Sequence, residues 1–324
     1  MSEFDLIATY FTWDNKLNPS NNIVKSVGDD AAVLSLAPDQ QLVTSIDTLV
    51  SGVHFPENTS PYDIGYKALA VNLSDLAAMG AKPEWFTLAL TLPEINHEWL
   101  SEFSHGLKTL AKEAEIALVG GDTSSGPLSI SIQVMGSVEA DEALYRNGAK
   151  QGDNIYVTGS LGDGAAGLAS VQNNLELSKQ DAEYCQQRLN RPTPRLAESA
   201  LIKGFASSCI DVSDGLLQDL SHILKQSNSA NPEQILGAQL DLSSMPLSNA
   251  LNSITNQQAL EFSLSGGDDY ELLFTVPEAM KAEFLTATKN SDFRFSCIGK
   301  ITNDKGIIDS NNNALNATGF EHFS

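Results

Sequence analysis

The chain has 324 residues, of which 42% are hydrophobic and 19% are charged, and its formal net charge is −22. This length and composition are typical of a globular protein with two domains. The acidic balance disfavours nucleic acid and anionic membrane surfaces as partners, because proteins bind phosphate groups through Lys and Arg.

The sequence also disfavours secretion and membrane insertion. Its three cysteines, Cys185, Cys209 and Cys297, lie far apart and form no CxxC or Cys/His cluster, so we expect buried free thiols. The N-terminal MSEFDLIATYF lacks the basic segment of a signal peptide, and no apolar run approaches the ~20 residues of a membrane span. We therefore expect a cytoplasmic protein.

Apolar runs and stretches of helical periodicity alternate along the chain, which predicts an α/β protein. A helix is predicted at 60–80, where Ser60 is the N-cap, Pro61 fits the first turn and Gly80 ends the helix. The other elements predicted in this half are strands at 31–36 and 41–47, a strand at 85–92, a helix at 94–114, and strands at 116–122 and 128–138.

A second domain is predicted to begin near residue 151, which gives domains 1–150 and 151–324. It opens with a strand in GDNIYVTG and a glycine-rich turn that enters a helix in SLGDGAAGLASVQ. The remaining predicted elements are a helix that starts in RPTPRLAESALIKGF, a strand in CIDVSDG, a helix in LLQDLSHILKQ, and strands at 236–241, 271–276 and 295–301.

Aspartates recur beside apolar runs, usually with Gly or Ser next to them. They occur in VGDDAA (27–32), SIDTLVSG (45–52), NLSDLAAMG (72–80), VGGDTSSG (119–126), IDVSDGL (210–216) and SGGDDYELL (265–273). A surface turn explains one such motif, because Gly and Asp are ordinary turn residues. Their number raises the question of what would gather so much negative charge at the ends of buried elements.

Asp75 is the most informative of these aspartates. It lies late in the predicted helix, where the helix dipole disfavours a negative charge, and Asn72 lies one turn earlier on the same face. If the aspartates converge, they repel one another unless a cation joins them. Oxygen ligands without Cys select hard ions such as Mg²⁺, which leaves positions open for phosphate oxygens. A metal site for a phosphorylated ligand is one interpretation, and separate loop and cap roles are the other.

The sequence contains none of the common kinase motifs. It has no GxxxxGK[ST] loop, no HRDxxxxN segment and no DFG. The turn GSLGDGAAG (159–167) lacks a lysine, and it either binds phosphate through backbone N–H groups or only connects a strand to a helix.

Eight motifs, in order, carry a resemblance to a known family. They are VGDDAAVL, SIDTLVSGVHF, KALAVNLSDLAAMGAKP, LVGGDTSSGPLSISI, RNGAKQGDNIYVTGSLGDGAAGL, IDVSDGLLQDL, LSGGDDYELLF and GFEHF. Together they resemble the thiamine-monophosphate kinases, in the superfamily that includes aminoimidazole ribonucleotide synthetase and selenophosphate synthetase. The resemblance covers essentially the whole chain.

The resemblance implies a fold, a reaction and an assembly. The fold is two α/β domains, with mixed sheets flanked by helices, and residues 1–150 form the ATP- and Mg-binding and dimerisation domain. The reaction transfers the γ-phosphoryl group of ATP to thiamine monophosphate, with several Mg²⁺ ions, and yields thiamine diphosphate. The homodimer forms through the N-terminal domains.

The resemblance also implies the site residues. The expected metal ligands are Asp30, Ser45, Ile46, Asp47, Asp75, Asp122, Asp211 and Asp214, with Ser45 and Ile46 acting through hydroxyl or backbone oxygens. The expected nucleotide contacts are His105, Gly121, Asp122, Arg146 and Ser213. The expected contacts to thiamine monophosphate are His54, Asp268 and Phe320. The family commonly has Glu where Asp268 stands and Tyr or Trp where Phe320 stands.

The chemistry of this reaction fits the residue types. A phosphomonoester with a second pKa of ~6 is already an oxyanion at neutral pH, so no general base is needed. Metal ions and Arg146 would bring two anionic phosphates together. An aromatic ring and a carboxylate, the types of Phe320 and Asp268, suit the cationic thiazolium.

Two alternatives stay open at this point. One is another ATP-using enzyme of the same superfamily, although selenophosphate synthetase needs a reactive cysteine near its N-terminus and the first cysteine here is Cys185. The other is a non-catalytic acidic metal-binding protein, which the lack of an EF-hand loop disfavours.

Overall fold

The computed structural model describes residues 3–13, 22–27, 30–316 and 319. Contacts divide the chain into two compact units. The first unit comprises Met1–Leu76 and Ala81–Glu142, and the second comprises Ala77–Gly80 and Ala143–Ser324. The assignment of nucleotide binding and dimerisation to residues 1–150 stays a prediction.

The first unit contains a four-stranded sheet, two long helices and one short helix among its described residues. Its strands run in the order β3-β6-β4-β5; β3 and β4 are antiparallel to β6, and β5 is parallel to β4. A separate antiparallel pair is formed by β1 and β2. The elements are α1 (Glu3–Leu6), which continues as a π-helical turn (Ile7–Phe11), β1 (Ile23–Lys25), β2 (Val33–Leu34), β3 (Gln40–Val50), α2 (Pro61–Ala78), β4 (Lys82–Leu92), α3 (His97–Glu113), β5 (Ala117–Ser125) and β6 (Ser129–Glu139).

Local signals in the sequence set both ends of α2. The Ser60 hydroxyl accepts a hydrogen bond from the Asp63 amide at 3.1 Å, which makes it the N-cap, and it also donates to the Asp63 carboxylate at 2.8 Å. Pro61 begins the helix, and Gly80 ends it with a φ of 70°, a left-handed conformation that glycine adopts without strain. The predicted helix at 60–80 is confirmed.

Close contact with α3 fixes the position of α2. A side chain at Gly65 would overlap the Phe103 carbonyl oxygen, and one at Gly106 would overlap the Tyr62 carbonyl oxygen. The two helices therefore approach each other closely where these glycines lie. Most residues of α2 are buried, so packing holds the helix on every side.

The second unit is built on a seven-stranded sheet. Its strand order is β13-β12-β9-β11-β7-β10-β8, and the neighbouring strands are antiparallel except for β12 and β9. The elements are β7 (Asn154–Thr158), α4 (Asp163–Val171), α5 (Lys179–Asn190), α6 (Leu196–Ile202), β8 (Ser208–Val212), α7 (Leu216–Ala230), β9 (Gly237–Leu240), α8 (Asn256–Ser265), β10 (Glu271–Val276), α9 (Lys281–Thr288), β11 (Phe295–Thr302), β12 (Gly306–Asp309) and β13 (Ala314–Leu315).

Helices cover both faces of this sheet, so its central strands are buried on both sides. In β7, Ile155 and Val157 join the cluster under α7, whereas Tyr156 joins the cluster under α9. The same alternation divides Leu273 from Phe274 in β10. Successive side chains of a strand point to opposite faces, so each strand contributes to two cores. The prediction of mixed sheets flanked by helices is confirmed.

Several elements differ from those predicted. The strand predicted at 31–36 is only the two residues of β2, whereas the strand predicted at 41–47 extends over the eleven residues of β3. The helices α5, α8 and α9 were not predicted. Each of them has few apolar residues in a helical pattern, so its packing is not visible in the local sequence.

The three cysteines are free thiols, and they lie in two kinds of environment. Cys185 and Cys209 are buried, as expected, and burial raises the pKa of Cys185 to about 12. The expectation of burial is wrong for Cys297, which is exposed on β11.

Among the described residues, no helix combines the length and the apolar character needed to cross a membrane.

The aromatic cluster between β10 and α9 tests the core of the second unit. Phe284 is fully buried, and its ring contacts those of Tyr156, Phe205, Phe274 and Phe295. We expect Phe284→Ala to lower the free energy of unfolding by about 3–5 kcal/mol, because it removes buried apolar surface and leaves a cavity. Urea denaturation followed by circular dichroism measures this change.

Phe293 provides the matched control, since the same substitution there removes a ring that is 38% exposed. Phe293→Ala should change the free energy of unfolding by less than about 1 kcal/mol. Equal effects of the two substitutions would contradict the core described here.

Candidate active site

Two hydrogen bonds join β3 to the last turns of α2. The Ser45 hydroxyl donates to the Asp75 carboxylate at 2.6 Å, and the Asp47 amide donates to the Asn72 side-chain oxygen at 3.1 Å. Asn72 is fully buried, and its amide group donates to the Ala68 carbonyl at 2.9 Å, which fixes its orientation. The structure therefore brings Ser45 and Asp47 on β3 beside α2, which carries Asp75, a residue that lies 30 positions after Ser45 in the sequence.

Ile46 differs from its two neighbours on β3. Side chains alternate along a strand, so Ile46 lies on the face opposite Ser45 and Asp47, and it is 62% exposed. The expected role of Ile46 near a metal therefore concerns its backbone oxygen only.

His54 lies just beyond β3 in a defined orientation. The Val50 amide donates to His54 Nδ1 at 3.0 Å, so Nδ1 carries no proton and a neutral ring has its proton on Nε2. The His54 carbonyl accepts a hydrogen bond from the buried Lys67 ammonium at 3.2 Å. These contacts fix the position of His54, which is expected to contact thiamine monophosphate.

A cavity of about 790 Å³ lies within the first unit. It lies within the size range of small-molecule sites, ~300–1,000 Å³. Its lining includes Asp30 and Gly121, an expected metal ligand and an expected nucleotide contact, beside apolar side chains of the π-helical turn, β4 and β5. Of the cavity's lining residues, Ile7, Phe11, Leu88 and Leu118 give it an apolar wall.

Two other residues expected at the nucleotide, Asp122 and His105, do not line this cavity. Asp122 follows Gly121 on β5, and its side chain is exposed. His105 lies on the exposed side of α3, where its ring meets the edge of the Tyr62 ring at 5.2 Å between centroids. His105 does not line the 790 Å³ cavity.

In the second unit, the expected site residues gather where β8 leads into α7. Asp211 is buried on β8, and Ser213 and Asp214 follow in the turn. Asp219, one turn into α7, accepts hydrogen bonds from the amides of Asp214 and Gly215 at 3.2 and 3.1 Å. The turn that holds Ser213 and Asp214 is thus fixed by the side chain of Asp219.

Electrostatic interactions link Arg146 to this turn. Burial and the charge of Asp214 together raise the pKa of Asp219 to about 7, although the two backbone amides and Arg146 oppose the shift. Burial and Arg146 lower the pKa of His222, whereas Asp214 raises it. Arg146 and Asp214 therefore act on the same two groups, which places a cation and an expected metal ligand in one electrostatic neighbourhood.

Asp268 lies beside the same turn. Its amide donates to the Ser213 carbonyl at 2.9 Å, and the Tyr270 amide donates to the Val212 carbonyl at 2.8 Å. The Tyr270 hydroxyl donates to the Asp268 carboxylate at 3.3 Å. The structure thus brings an expected substrate contact next to Ser213, an expected nucleotide contact.

The next aspartate, Asp269, has a different environment. It is 1% exposed, and its carboxylate accepts hydrogen bonds from the amides of Gly162 and Gly164 at 2.6 and 3.1 Å. Burial raises its pKa well above the ordinary value, although the Gly162 amide and the charge of Arg188 oppose the shift. Asp269 therefore caps the first turn of α4, so this glycine-rich turn binds a carboxylate of the protein itself.

The donor atoms near Asp75 fit a hard cation, but they do not by themselves complete a site. Hydroxyl, amide and carboxylate oxygens lie together there, which are the ligands that Mg²⁺ prefers. Within residues 3–13, 22–27, 30–316 and 319, no three Asp, Glu, His or Cys side chains are close enough to hold an ion. The expected ligands are divided between the units, and the full ligand set stays a prediction. Phe320 lies outside the described residues.

Sequence reasoning missed several residues of this region. Asp219 and His222 lie three residues apart in LLQDLSHILKQ, so their spacing on one helix face was a readable signal. No local spacing in the sequence indicates the contacts among Arg188, Arg195 and Glu271. They meet only through contacts of the folded chain, over sequence separations of 76 to 83 residues.

Comparison with known families matches both halves of the chain. Residues 28–138 match the family described as AIR synthase related protein, N-terminal domain. Residues 150–309 match AIR synthase related protein, C-terminal domain. The match covers both units.

Individual relatives share a more specific name. Thiamine-monophosphate kinase of Escherichia coli (strain K12) is 45% identical over 99% of this chain and 98% of the relative, and that of Bacillus subtilis (strain 168) is 32% identical over the full length of both.

Solved structures agree with this name. The thiamine-monophosphate kinase from Stenotrophomonas maltophilia K279a superimposes with a TM-score of 0.84 at 43% identity, covering 92% of this chain and 93% of the other. AaThiL, solved with AMPPCP and TMP, has a TM-score of 0.78 at 30% identity and 92% coverage of both chains. With these matches over nearly its full length, the chain belongs to the thiamine-monophosphate kinase family, within the AIR synthase related proteins.

Proposed function

We propose that the protein transfers the γ-phosphoryl group of ATP to thiamine monophosphate and so forms thiamine diphosphate. The observation that carries the proposal is the convergence of Ser45, Asp47 and Asp75 at the contact between β3 and α2. Its relative AaThiL was solved with TMP and with AMPPCP, an ATP analogue whose β,γ-bridge is a methylene group. Family membership and the geometry of the acidic residues support the same reaction.

The 790 Å³ cavity of the first unit is the proposed nucleotide site. Its apolar wall suits a purine base, and the backbone of Gly121 in its lining is the proposed contact to a phosphate. Asp30 in the lining and Asp122 next to Gly121 are the carboxylates proposed to hold cations at the phosphates. His105 does not line this cavity, so its proposed contact would be with the outer part of the nucleotide.

Oxygen donors on β3 and α2 are the proposed first ligands of Mg²⁺. Ser45, Asp47 and Asp75 present hydroxyl and carboxylate oxygens, and Asp30, Asp122, Asp211 and Asp214 complete the proposed set. Bound Mg²⁺ would neutralise phosphate charge and align an in-line displacement. The carboxylate of Asp75 near the C-terminal end of α2 supports this assignment, because a cation there would offset the unfavourable effect of the helix dipole.

The proposed reaction needs charge neutralisation and orientation, and it needs no general base. The phosphate of thiamine monophosphate, with a second pKa of ~6, already carries the attacking oxyanion at neutral pH. Arg146 is proposed to contact the transferred phosphoryl group, and its electrostatic effects on Asp219 and His222 place it near Asp214. The P–O bond to the γ-phosphorus breaks as the new P–O bond forms, and ADP leaves.

The substrate's thiazolium is a cation, and the proposed contacts suit a cation. Asp268 supplies a carboxylate, and Phe320 is proposed to supply an aromatic face. His54, with its neutral tautomer protonated at Nε2, presents one N–H donor. Asp268 is one methylene shorter than the Glu that is common in the family, so this contact draws the substrate closer to the backbone.

Two alternative functions make different predictions. A selenophosphate synthetase needs a reactive N-terminal cysteine, whereas the first cysteine here is buried and its pKa is raised to about 12. An aminoimidazole ribonucleotide synthetase would turn over a ribonucleotide precursor instead of thiamine monophosphate. An acidic metal-binding protein would bind Mg²⁺ without producing ADP.

We also propose a homodimer and a cytoplasmic location. Strand β3 is eleven residues long and pairs only with β6 among the described strands, so one edge lacks a strand partner there. Its exposed face carries Leu42, Ile46 and Val50, which are 53%, 62% and 37% exposed. An exposed apolar edge strand favours association, and a second copy of the chain is the proposed occupant.

The free cysteines support a reducing compartment and so the proposed cytoplasmic location.

The reaction is tested by incubating the purified protein with ATP, Mg²⁺ and thiamine monophosphate. We expect ADP and thiamine diphosphate in equal amounts, and no product when Mg²⁺ is removed with EDTA. Nucleotides and thiamine phosphates are separated by chromatography. Turnover with an aminoimidazole precursor instead, or with neither substrate, would reject the proposal.

The carboxylates are tested by Asp75→Asn and Asp122→Asn. Each substitution keeps the size of the side chain and removes its charge, so we expect kcat to fall about a hundredfold or more, since metal assistance contributes several kcal/mol. Asp141→Asn is the matched control, because Asp141 is an exposed residue of the same unit with a φ of 65°, which Asn tolerates. Normal kcat in both site variants would remove the metal proposal.

The dimer is tested by Leu42→Glu. Light scattering should give the wild-type protein twice the chain mass of 34.7 kDa, and Leu42→Glu should shift it toward the monomer by placing charge in the apolar interface. Leu285→Glu is the matched control, since Leu285 is 49% exposed on α9. A monomeric wild-type protein, or an equal effect of both substitutions, would contradict this interface.

A further inference from the structure

The loop that carries Asp268 has an unusual backbone. Asp268 and Tyr270 have φ angles of 66° and 51°, in the left-handed region that side chains other than glycine rarely adopt. Two such residues in a three-residue segment persist only where the surrounding structure holds them. The residue between them is Asp269.

The side chain of Asp269 anchors this loop to α4. Its carboxylate accepts the Gly162 and Gly164 amides at the first turn of the helix, where the helix dipole favours a negative charge. It is also almost fully buried, so the contact is shielded from water. Asp269 thus fixes the backbone immediately after Asp268.

A buried ion network holds the other side of the loop. Arg188 donates to the Asp269 carbonyl at 3.3 Å and to the Glu271 carboxylate at 2.8 Å. Arg195 also donates to Glu271, and the Thr158 hydroxyl donates to it at 2.6 Å. Glu271 is fully buried, so these donors compensate its charge and fix the start of β10.

The anchored loop is connected to the turn after β8. The Asp268 and Tyr270 amides donate to the carbonyls of Ser213 and Val212, so a shift of the loop moves Asp268 relative to Ser213. Asp268 is half-buried, so a ligand can reach it, whereas Asp269 is buried. The residue that would contact the ligand is therefore different from the residue that anchors the loop.

We infer that Asp269 is a positioning residue for the substrate: its hydrogen bonds to the α4 amides hold the backbone that presents the Asp268 carboxylate to the thiazolium cation. The role of Asp268 in this inference rests on the proposed function. Asp269 acts through Asp268, and Arg188 assists by holding the Asp269 carbonyl.

The first test measures Asp269→Asn. Asparagine keeps one acceptor but places an N–H group against a backbone N–H group, so the anchor is lost. We expect KM for thiamine monophosphate to rise about tenfold or more, the factor that a lost charged hydrogen bond gives, and KM for ATP to change less than about threefold. Parallel changes in both KM values, or no change, would overturn the inference.

Asp309→Asn is the matched control. Asp309 is 7% exposed in the same unit and also accepts two backbone amides, from Asn311 and Asn313, at 2.8 Å each. Asparagine there sets an N–H group against the Asn313 side-chain amide, which donates to the Asp309 carboxylate at 2.8 Å, so we expect this variant to lose stability and to keep both KM values. If it reproduces the rise in KM for thiamine monophosphate, Asp269 has no specific role.

A double-mutant cycle distinguishes positioning from direct contact. When Asp268→Asn has already removed the substrate contact, Asp269→Asn should raise KM for thiamine monophosphate by less than about twofold, because coupled residues give non-additive effects. Additive effects of the two substitutions would show that Asp269 does not act through Asp268. If Asp269→Asn fails to fold, Arg188→Lys replaces it in the cycle, with the same outcomes.

Hydrogen exchange tests the anchor without any activity. We expect Asp269→Asn to accelerate exchange of the Asp268 and Tyr270 amides at least about tenfold, while amides of β9 and β12 exchange as in the wild type. Unchanged exchange of those two amides would overturn the inference. If the substitution accelerates exchange but the wild-type protein does not phosphorylate thiamine monophosphate, the anchor is supported and the proposed function is rejected. Failure of the anchor can therefore be distinguished from failure of the proposed function.

Discussion

The candidate site depends on holding a carboxylate where the local structure disfavours it. Asp75 lies near the C-terminal end of α2, where the dipole repels negative charge, yet its carboxylate is fixed by the Ser45 hydroxyl on β3. Asn72, one turn earlier, binds the Asp47 amide and so sets the strand against the helix. Close packing of Gly65 and Gly106 between α2 and α3 restrains the helix. The fold therefore keeps an unfavourable charge in place, and a bound cation would relieve the cost.

The turn after β8 uses the opposite arrangement. Asp219 lies in the first turn of α7, where the helix dipole favours a carboxylate, and it accepts the amides of Asp214 and Gly215. Burial and the charge of Asp214 nevertheless raise its pKa to about 7. The turn is thus ordered by an internal carboxylate, while the neighbouring Asp214 stays half-exposed. Different aspartates therefore order the turn and carry the proposed ligand binding.

Sequence reasoning succeeded where the signals were local. The capping residues of α2 lie next to the helix, so Ser60, Pro61 and Gly80 could be read directly. Helix α5 could not be predicted in this way. Its sequence, KQDAEYCQQRLN, buries only Cys185 and Leu189, and its position depends on packing with α4. The pairing of Arg188 with Glu271 spans 83 residues, so only the folded chain reveals it. The sequence therefore predicts the types of the elements better than it predicts which distant residues contact each other.

The pair Asp268 and Asp269 shows how one residue type divides between two roles. Buried acids in this unit are compensated by the protein: Asp163 accepts the hydroxyls of Ser160, Ser248 and Tyr184, and Asp269 accepts two amides. Most of the expected ligands are less buried, namely Asp30, Asp47, Asp75, Asp122, Asp214 and Asp268, and Asp211 is the exception. Internal compensation fixes a carboxylate within the fold, whereas partial exposure leaves it able to bind a cation. Apart from Asp211, burial, which the sequence does not display, therefore separates the aspartates that shape the site from those that would hold its ligands.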